Sequence, residues 1–469
     1  MTDGLAQRPA DLSARVADGP AAACSPSYLH DIVLRQQGKI FLSDGRNRKR
    51  LTFPDSQHSS LPATPPLYLA KMSIVIINWR GGENDPFTYF SRCMQQAFER
   101  MGRPAHIVDL DDSVMDKLAV LSNQGIDFVI LWQGIGLQLG AANIGSANIW
   151  DQMRVPVLCY HGDHPCHMPD NHNAASPWVQ HIYGTASFAM FANTYFARES
   201  SATFFPTPVW FTDGVKGRFE GNFFVFPKNL DDLDATLKEW RDTSPQQLSS
   251  FLLEAADAII GEFRNGNRTS HHDIIDGLLN AERMAALCKE FQHPELPVRV
   301  HLHMLLDKIH RNVVAEHVVE DLQDVPLKVY GRGWDRFKLR QNRHHEFLTF
   351  DAMSDNAFQF ASQYGIIDAA PIHDGLHDRT LRAMSNRSGF LMGANWPYET
   401  YLGGDYAKLF FDGAAGGLRD RAELVMQSPE AHRARCADFA RQHQQQFSLF
   451  SFIKYLEEMS GTVKARALA

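Results

Sequence analysis

The sequence lacks any uninterrupted apolar run near the roughly 18 residues that a membrane-spanning helix needs, so no transmembrane segment is expected. It also lacks the apolar heart of a secretory signal. Residues 1 to 20 carry Asp3, Asp11 and Asp18 instead. Basic residues are in deficit, with 46 Lys and Arg against 54 Asp and Glu and a net charge of -8. That argues against a broad basic face for nucleic acid and leaves room only for a local basic pocket. Cysteine is sparse, and most of Cys24, Cys93, Cys159, Cys166, Cys288 and Cys436 stand far apart. With no export signal they read as reduced thiols, and the expected compartment is the cytoplasm. No internal repeat and no low-complexity block is present.

What remains is an ordinary globular balance, with 469 residues, 44% hydrophobic and 21% charged. At this length about two or three domains are expected, each able to bury a core without disulfide or metal staples. Residues 1–66 stand apart. Pro, Ala, Ser and Asp dominate the first part, Ile40 to Leu42 makes a short strand candidate before the Asp44-Gly45 turn, and Pro62, Pro65 and Pro66 read as a linker. This segment is expected to be an arm.

The first strong element is Met72 to Trp79, a β-branched run that reads as a buried parallel strand. A helix is expected over Pro86 to Met101, from the helical spacing of Phe87, Phe90, Met94, Ala97 and Phe98. Ala105 to Asp109, Phe128 to Trp132 and Val155 to Tyr160 read as further strands. Strands alternating with helices imply an open, doubly wound sheet, with function at the carboxyl ends of its strands. Asn222 to Phe226 opens a second unit. Leu230 to about Glu320 is almost wholly helical, broken at Arg264 to Arg268. A second α/β region follows, with strands at Pro326 to Tyr330, Gly365 to Ala370, Gly389 to Met392 and Leu409 to Phe411. The tail from Ala431 to Met459 is helical. The expected fold class is therefore α/β, two Rossmann-like domains facing a cleft that holds a small-molecule site. The expected boundaries are an arm over 1–66, a first domain over 67–220, and a second over 221–430. The second carries a helical insertion over about 230–322, and a C-terminal helix occupies 431–469.

Four motifs carry chemistry. A strand runs into Gly331-Arg332-Gly333-Trp334, a Gly-x-Gly turn whose backbone can approach a ligand closely or can simply bury Trp334. Ala370 is followed by His373, Asp374, Gly375, His377, Asp378, Arg379 and Thr380, a polar loop opening a helix. Asp378 would be the N-cap, and the first turn, with Arg379, would suit a diphosphate. Arg379 can equally pair with Asp374 or Asp378 as a structural lock. Cys159 to His167 ends another strand and brings His161, Asp163 and His164 together. Its spacing matches no zinc motif, so a substrate loop is preferred, with His161 and Asp163 as acid or base candidates. Gly81 and Gly82 follow the first strand and can admit a ligand or merely turn the chain. His301, His303 and His310 fall on helical sequence and read as packing or surface residues.

At Tyr330 to Trp334 and His373 to Arg379 the sequence resembles the CgeB-like glycosyltransferases, whose catalytic region has a GT-B fold. The shared features are the Tyr-Gly-x-Gly-Trp strand end and, about forty residues on, an apolar strand over Ile366 to Ala370. Gly375, Arg379 and Ala383-Met384 complete the likeness. His161 to Pro165 also resembles a loop in the N-terminal half of related transferases. The likeness covers about residues 72 to 460. It implies transfer of a sugar from a nucleotide-sugar donor to a glycan, lipid-linked or protein acceptor. The donor would sit on the second domain and the acceptor on the first. The second acid of the Glu-x7-Glu pair of many retaining enzymes is Arg382 here, opposite Asp374, so the stereochemical outcome stays open. In this reading Gly331, Arg332, Gly333, Trp334, His373, Asp374, Gly375, His377, Asp378 and Thr380 line the donor. Arg379 stabilises the leaving diphosphate, and no metal or other cofactor is expected. His161 or Asp163 faces the acceptor, with Gly81, Gly82 and His164 in the acceptor or donor loop. Two other readings keep the fold: a nucleotide-sugar epimerase, and a scaffold that binds the nucleotide sugar without turnover.

Overall fold

A computed structural model describes residues 41–44, 47–50, 72–79, 86–139, 149–173, 176–196, 200–209, 221–267, 270–336, 342–348, 362–370, 374–393, 398, 404–414 and 416–469. The chain divides into two units, Met1–Leu67 and Tyr68–Ala469. Within the first, β1 (Phe41–Asp44) pairs antiparallel with β2 (Asn47–Arg50), Phe41 opposite Arg50.

The second unit holds two parallel six-stranded sheets. The first contains β3 (Ser73–Asn78), β4 (Ala105–Asp109), β5 (Ile126–Trp132), β6 (Val157–His161), β7 (Val179–Tyr183) and β8 (Thr203–Phe204), in the order β4-β3-β5-β6-β7-β8. Side chains alternate across β3, so its two faces feed different cores. Ile74 and Ile76 join Phe90, Met94 and Phe98 of α1 (Pro86–Arg100), while Val75 and Ile77 join Leu118 and Leu121 of α2 (Val114–Gln124). A short α3 (Ile149–Met153) and α4 (Ala186–Tyr195) follow, the latter capped by Thr185.

The second sheet is β9 (Phe224–Pro227), β10 (Leu327–Tyr330), β11 (His345–Leu348), β12 (Gly365–Asp368), β13 (Phe390–Gly393) and β14 (Phe410–Phe411), in the order β11-β10-β9-β12-β13-β14. Five helices connect β9 to β10: α5 (Leu233–Thr243), α6 (Gln246–Arg264), α7 (His271–Leu278), α8 (Ala281–Phe291) and α9 (Glu295–Asp321). Their own core is built from Leu248, Phe251, Leu252, Ile259, Leu302 and Leu306, with others. The helical stretch also breaks at Pro245, which stands before the first residue of α6, where its missing N–H has no intrahelical partner to lose.

α10 (Asp378–Ser385), α11 (Gly417–Gln427), α12 (Pro429–Gln446) and α13 (Leu449–Leu468) complete the chain. The helical tail breaks at Ser448, which caps α13. α13 crosses back to the first sheet. Phe452 meets Tyr160, Arg103 pairs with Glu457 at 2.5 Å, and Arg466 donates to the carbonyls of Pro177 and Val179. The two Rossmann-like domains expected from the alternation are both present. Four strands were not foreseen: β2, β7, with Gln180 and His181 inside it, and the short β8 and β11. The described cysteines are all free thiols, and among the described residues no helix is long and apolar enough to cross a membrane.

Candidate functional site

In the second sheet β9 and β12 lie side by side, and the chain leaves them in opposite directions, to β10 on one flank and β13 on the other. Such a switch point opens a crevice at the strands' carboxyl ends. Lys228 follows β9 directly, and Asp368 is the last residue of β12. The Lys228 backbone is fixed on both sides, its N–H donating to the Tyr330 carbonyl at 2.8 Å and its carbonyl accepting from Trp334 Nε1 at 2.6 Å. Its side chain is buried, the residue only 8% exposed, and among the described residues no carboxylate lies within ion-pair distance of it. Burial pushes the Lys228 ammonium down to about 7, and the neighbouring Arg379 and Arg311 push the same way. Asp307 and Asp368 oppose the shift without cancelling it.

Asp368 faces the start of α10. It accepts from Thr380 Oγ1 at 2.8 Å and from the Thr380 N–H at 3.2 Å, with Arg379 Nη1 at 3.7 Å from its other oxygen. The helix N-terminus expected to bind a diphosphate thus already holds an internal carboxylate, and Thr380 is occupied by it. Arg379 thus faces Asp368, and its charge also acts on Asp378. The N-cap is His377, whose Nδ1 accepts from the Arg379 N–H at 3.4 Å, and Asp378 is the first helical residue. Burial favours the neutral acid at Asp378, but His377, Arg379 and Arg382 hold its carboxyl well below the usual range. Arg379 remains part-exposed and in the field of Lys228.

The Gly-x-Gly turn has a different reason from the one expected. A Cβ on Gly331 would lie 2.1 Å from the Lys228 carbonyl oxygen, and one on Gly333 only 1.7 Å from that of Leu230. Gly333 also has φ +86°. The glycines let the turn lie against the segment after β9, and the close approach is chain to chain. Trp334 is buried at 3% exposure against Phe226, tying that same segment down, and Arg332 is exposed with its N–H donating to Asn229 Oδ1. These residues shape Lys228's surroundings; Trp334 offers no open face to a base.

Asp374 and Gly375 also move. Asp374 accepts from the Ser187 N–H and from Ser187 Oγ, both at 2.7 Å, so it caps α4 of the first domain from the second. A Cβ on Gly375 would come within 2.4 Å of Thr185 Cγ2. Arg382 sits 5.4 Å over the Tyr89 ring of α1. The loop expected to read the donor therefore joins the two domains at these residues.

On the first domain, His161 is fully buried. Its Nε2 lies 2.9 Å from His181 Nδ1, and its ring stacks on Tyr183. It sits as a core histidine in the first domain, where an exposed acid-base group was expected. Asp163 is exposed and accepts from Gln133 Nε2 at 3.0 Å, at the carboxyl end of β6. His164 is buried and faces the helical insertion, where its Nε2 lies 2.9 Å from His272 Nε2, so it too leaves the acceptor loop. His167 bonds Asp307 Oδ2 at 2.7 Å, and Arg311 Nε donates to the same carboxylate oxygen at 2.5 Å. Burial works against ionisation of Asp307, yet Arg311 and His167 hold its carboxyl well below the usual range. Arg311 in turn feels Asp163. Asp163 and the Lys228–Arg311–Arg379 group thus belong to one electrostatic neighbourhood drawn from both domains.

Gly81, Gly82 and His373 lie outside the described residues. Sequence reasoning missed Lys228, Asp368 and Arg311. The available signal was positional: Lys228 directly follows, and Asp368 ends, the two strands between which the sheet order reverses. His303 and His310 are both buried on α9.

No family model matches the chain, and no curated protein matches it. Among solved structures it is similar to Anabaena HepE in complex with UDP and glucose, at 10% identity and a TM-score of 0.43, covering 83% of this chain and 100% of that one. It is also similar to the glycosyltransferase SnogD from Streptomyces nogalater, at 10% identity and a TM-score of 0.34, with the same coverage. An alpha-glucosyltransferase in complex with UDP and a mismatched DNA is similar at 11% identity and a TM-score of 0.35, again over 83% and 100%. Likeness at these levels says nothing about individual residues.

Proposed function

We propose that the protein is a glycosyltransferase that moves a sugar from a nucleotide-sugar donor to a glycan, lipid-linked or protein acceptor, without a metal for the leaving group. The observation that carries this reading is Lys228, a buried ammonium at the sheet's switch point with Arg379 and Arg311 beside it and no carboxylate paired to it among the described residues. Arg311 and Arg379 already face Asp307 and Asp368, whereas the Lys228 side chain has no such partner among the described residues and its charged form would be favoured by an arriving anion. A nucleoside diphosphate is the anion that a crevice of this kind takes.

In the reaction the bond between the anomeric carbon and the donor phosphate oxygen breaks, and negative charge grows on the departing diphosphate. Lys228 and Arg379 would stabilise that charge, with Arg311 contributing at longer range. Losing one such group typically costs about 10²–10³-fold in kcat. Asp163 is the exposed carboxylate on the opposite domain. In an inverting reaction it would take the acceptor hydroxyl's proton as that oxygen attacks; in a retaining one it would orient the acceptor. The resemblance at Tyr330 to Trp334 and at Arg379 supports the same class of chemistry.

The test is thermal unfolding against UDP, GDP, CMP, ADP and dTDP, with and without magnesium, for the wild type and Arg379→Ala. A ligand that binds only the native state raises the midpoint. The expected result is a magnesium-independent shift with one diphosphate, lost in a folded Arg379→Ala. No shift with any nucleotide would overturn the reading. Turnover then separates the alternatives. A transferase consumes the donor faster with acceptor present, an epimerase converts the donor alone, and a scaffold returns it unchanged.

A further inference from the structure

Where the loop after β6 meets the helical insertion, four imidazoles from three elements converge. His164 comes from the loop, His271 and His272 open α7, and His303 lies in the middle of α9. One ring nitrogen from each of His164, His271 and His272 lies within 4.8 Å of the others. Ring centroids are 4.2 Å apart for His271 and His272, 4.8 Å for His164 and His272, and 5.8 Å for His164 and His271. His303 lies 4.6 Å from His272 and 5.9 Å from His271. Four imidazoles on one tetrahedral zinc, with Zn–N near 2.0–2.1 Å, place their ring centres about 5 Å apart.

The second observation is a set of buried nitrogens with no partner. Nε2 of His271 and both ring nitrogens of His303 make no hydrogen bond, and the two residues are 4% and 0% exposed. Buried polar atoms of this kind are uncommon, and each calls for a ligand or a cost. A second group, Cys159, His161 and His181, also brings ligand atoms within 4.8 Å of one another, but it lies on the paired strands β6 and β7 and includes a thiol.

We propose that His164, His271 and His272 bind a zinc ion through one ring nitrogen each, with His303 closing the fourth position. Imidazole is a suitable ligand set for zinc among the divalent metals. Neutral imidazole is the form that ligates. The surroundings supply the outer partners such sites use. His164 Nδ1 lies 2.9 Å from Cys166 Sγ, and Asp307 places negative charge near the cluster. The ion would pin the helical insertion to the β6 loop and so fix α9, which carries Arg311 into the diphosphate neighbourhood. It takes no part in glycosyl transfer, so its test is independent of that reading.

The test is metal content and visible spectroscopy on the full chain. Protein stripped with a chelator and reloaded with zinc alone should hold about one equivalent and melt at a higher temperature than the stripped form. Cobalt loading should give the visible bands of a tetrahedral site without a thiolate charge-transfer band. His271→Gln and His272→Gln should lose the metal, and His293→Gln, at an exposed position, should keep it. A chain that takes up no zinc, or a folded His271→Gln/His272→Gln double variant that still holds an equivalent, overturns the proposal. If those variants do not fold, the wild-type cobalt spectrum decides. A thiolate band would show a cysteine ligand, from Cys166 or Cys159, and overturn the four-histidine site as well.

Discussion

Replacing Lys228 with Met separates stability from binding at one position. The ammonium falls from 10.5 in the free side chain to about 7 in the fold, because burial and the cations Arg379 and Arg311 outweigh Asp307 and Asp368. At about 1.4 kcal/mol per pKa unit, the charged form costs up to about 5 kcal/mol, a ceiling before local relaxation. The sign follows from proton binding. Between pH 7 and 10.5 the unfolded chain binds the proton that the folded chain has lost, so stability rises with pH across that window. The penalty is full below pH 7 and gone above 10.5. Lys228→Met, which keeps the aliphatic stem, should therefore stabilise the protein by at least about 1 kcal/mol near pH 6, with a smaller gain near pH 9. The same variant should lose nucleotide-diphosphate binding. In the wild type, diphosphate binding near pH 8 should take up about one proton, measured by calorimetry in buffers of different ionisation enthalpy. Urea unfolding of both proteins at the two pH values gives the first result. A variant destabilised equally at both pH values would refute the argument, as would diphosphate binding with no proton uptake.

Asp374→Asn should lower stability by about 1–3 kcal/mol by weakening the cap on α4, with Ser187→Ala non-additive in a double-mutant cycle and the KM for donor nearly unchanged. Gly333→Ala should abolish soluble folded protein or cost more than about 4 kcal/mol, because its Cβ would meet the Leu230 carbonyl oxygen at 1.7 Å in a left-handed backbone. Asp163→Asn should reduce kcat by about 10²-fold or more in an inverting reaction while leaving the melting temperature alone, whereas His161→Asn should lower the melting temperature first.

Both sheets were legible because parallel strands buried on two faces write themselves as unbroken apolar runs. Ser73–Asn78 and Ile126–Trp132 were read to within a few residues for that reason. β7 was not, since Gln180 and His181 interrupt its run and are accommodated by partners far away in sequence, Arg466 and His161. The site was legible only in outline. Gly331, Gly333 and Asp374 stand out by residue type, yet glycine marks a close approach without saying to what, and the aspartate's two partners are on the other domain. Lys228 carries no motif at all. It becomes visible only once the order β10-β9-β12 is known, because burial between two strands and proximity to Arg311 and Arg379 are tertiary facts. The adjacent pair His271-His272 was equally mute, since His164 and His303, which give it meaning, come from other elements.

The contacts between the two domains also constrain how the protein works. Asp374 caps α4 across the domain boundary with two bonds of 2.7 Å, Arg382 lies over Tyr89, and α13 runs from the second domain onto β6 and β7 through Phe452 and Arg466. Separating the domains would expose a charged cap and a cation on an aromatic ring, each costing on the order of 1 kcal/mol or more. The domains are therefore held in register before any ligand arrives. In the proposed site, Lys228 would then be held near Arg311 and Arg379, whose own carboxylate partners are Asp307 and Asp368. Catalysis by such a site would rest on preorganised charge. Weakening Asp374 or Tyr89 should then reduce kcat by letting the cations drift apart, even though neither residue touches the donor.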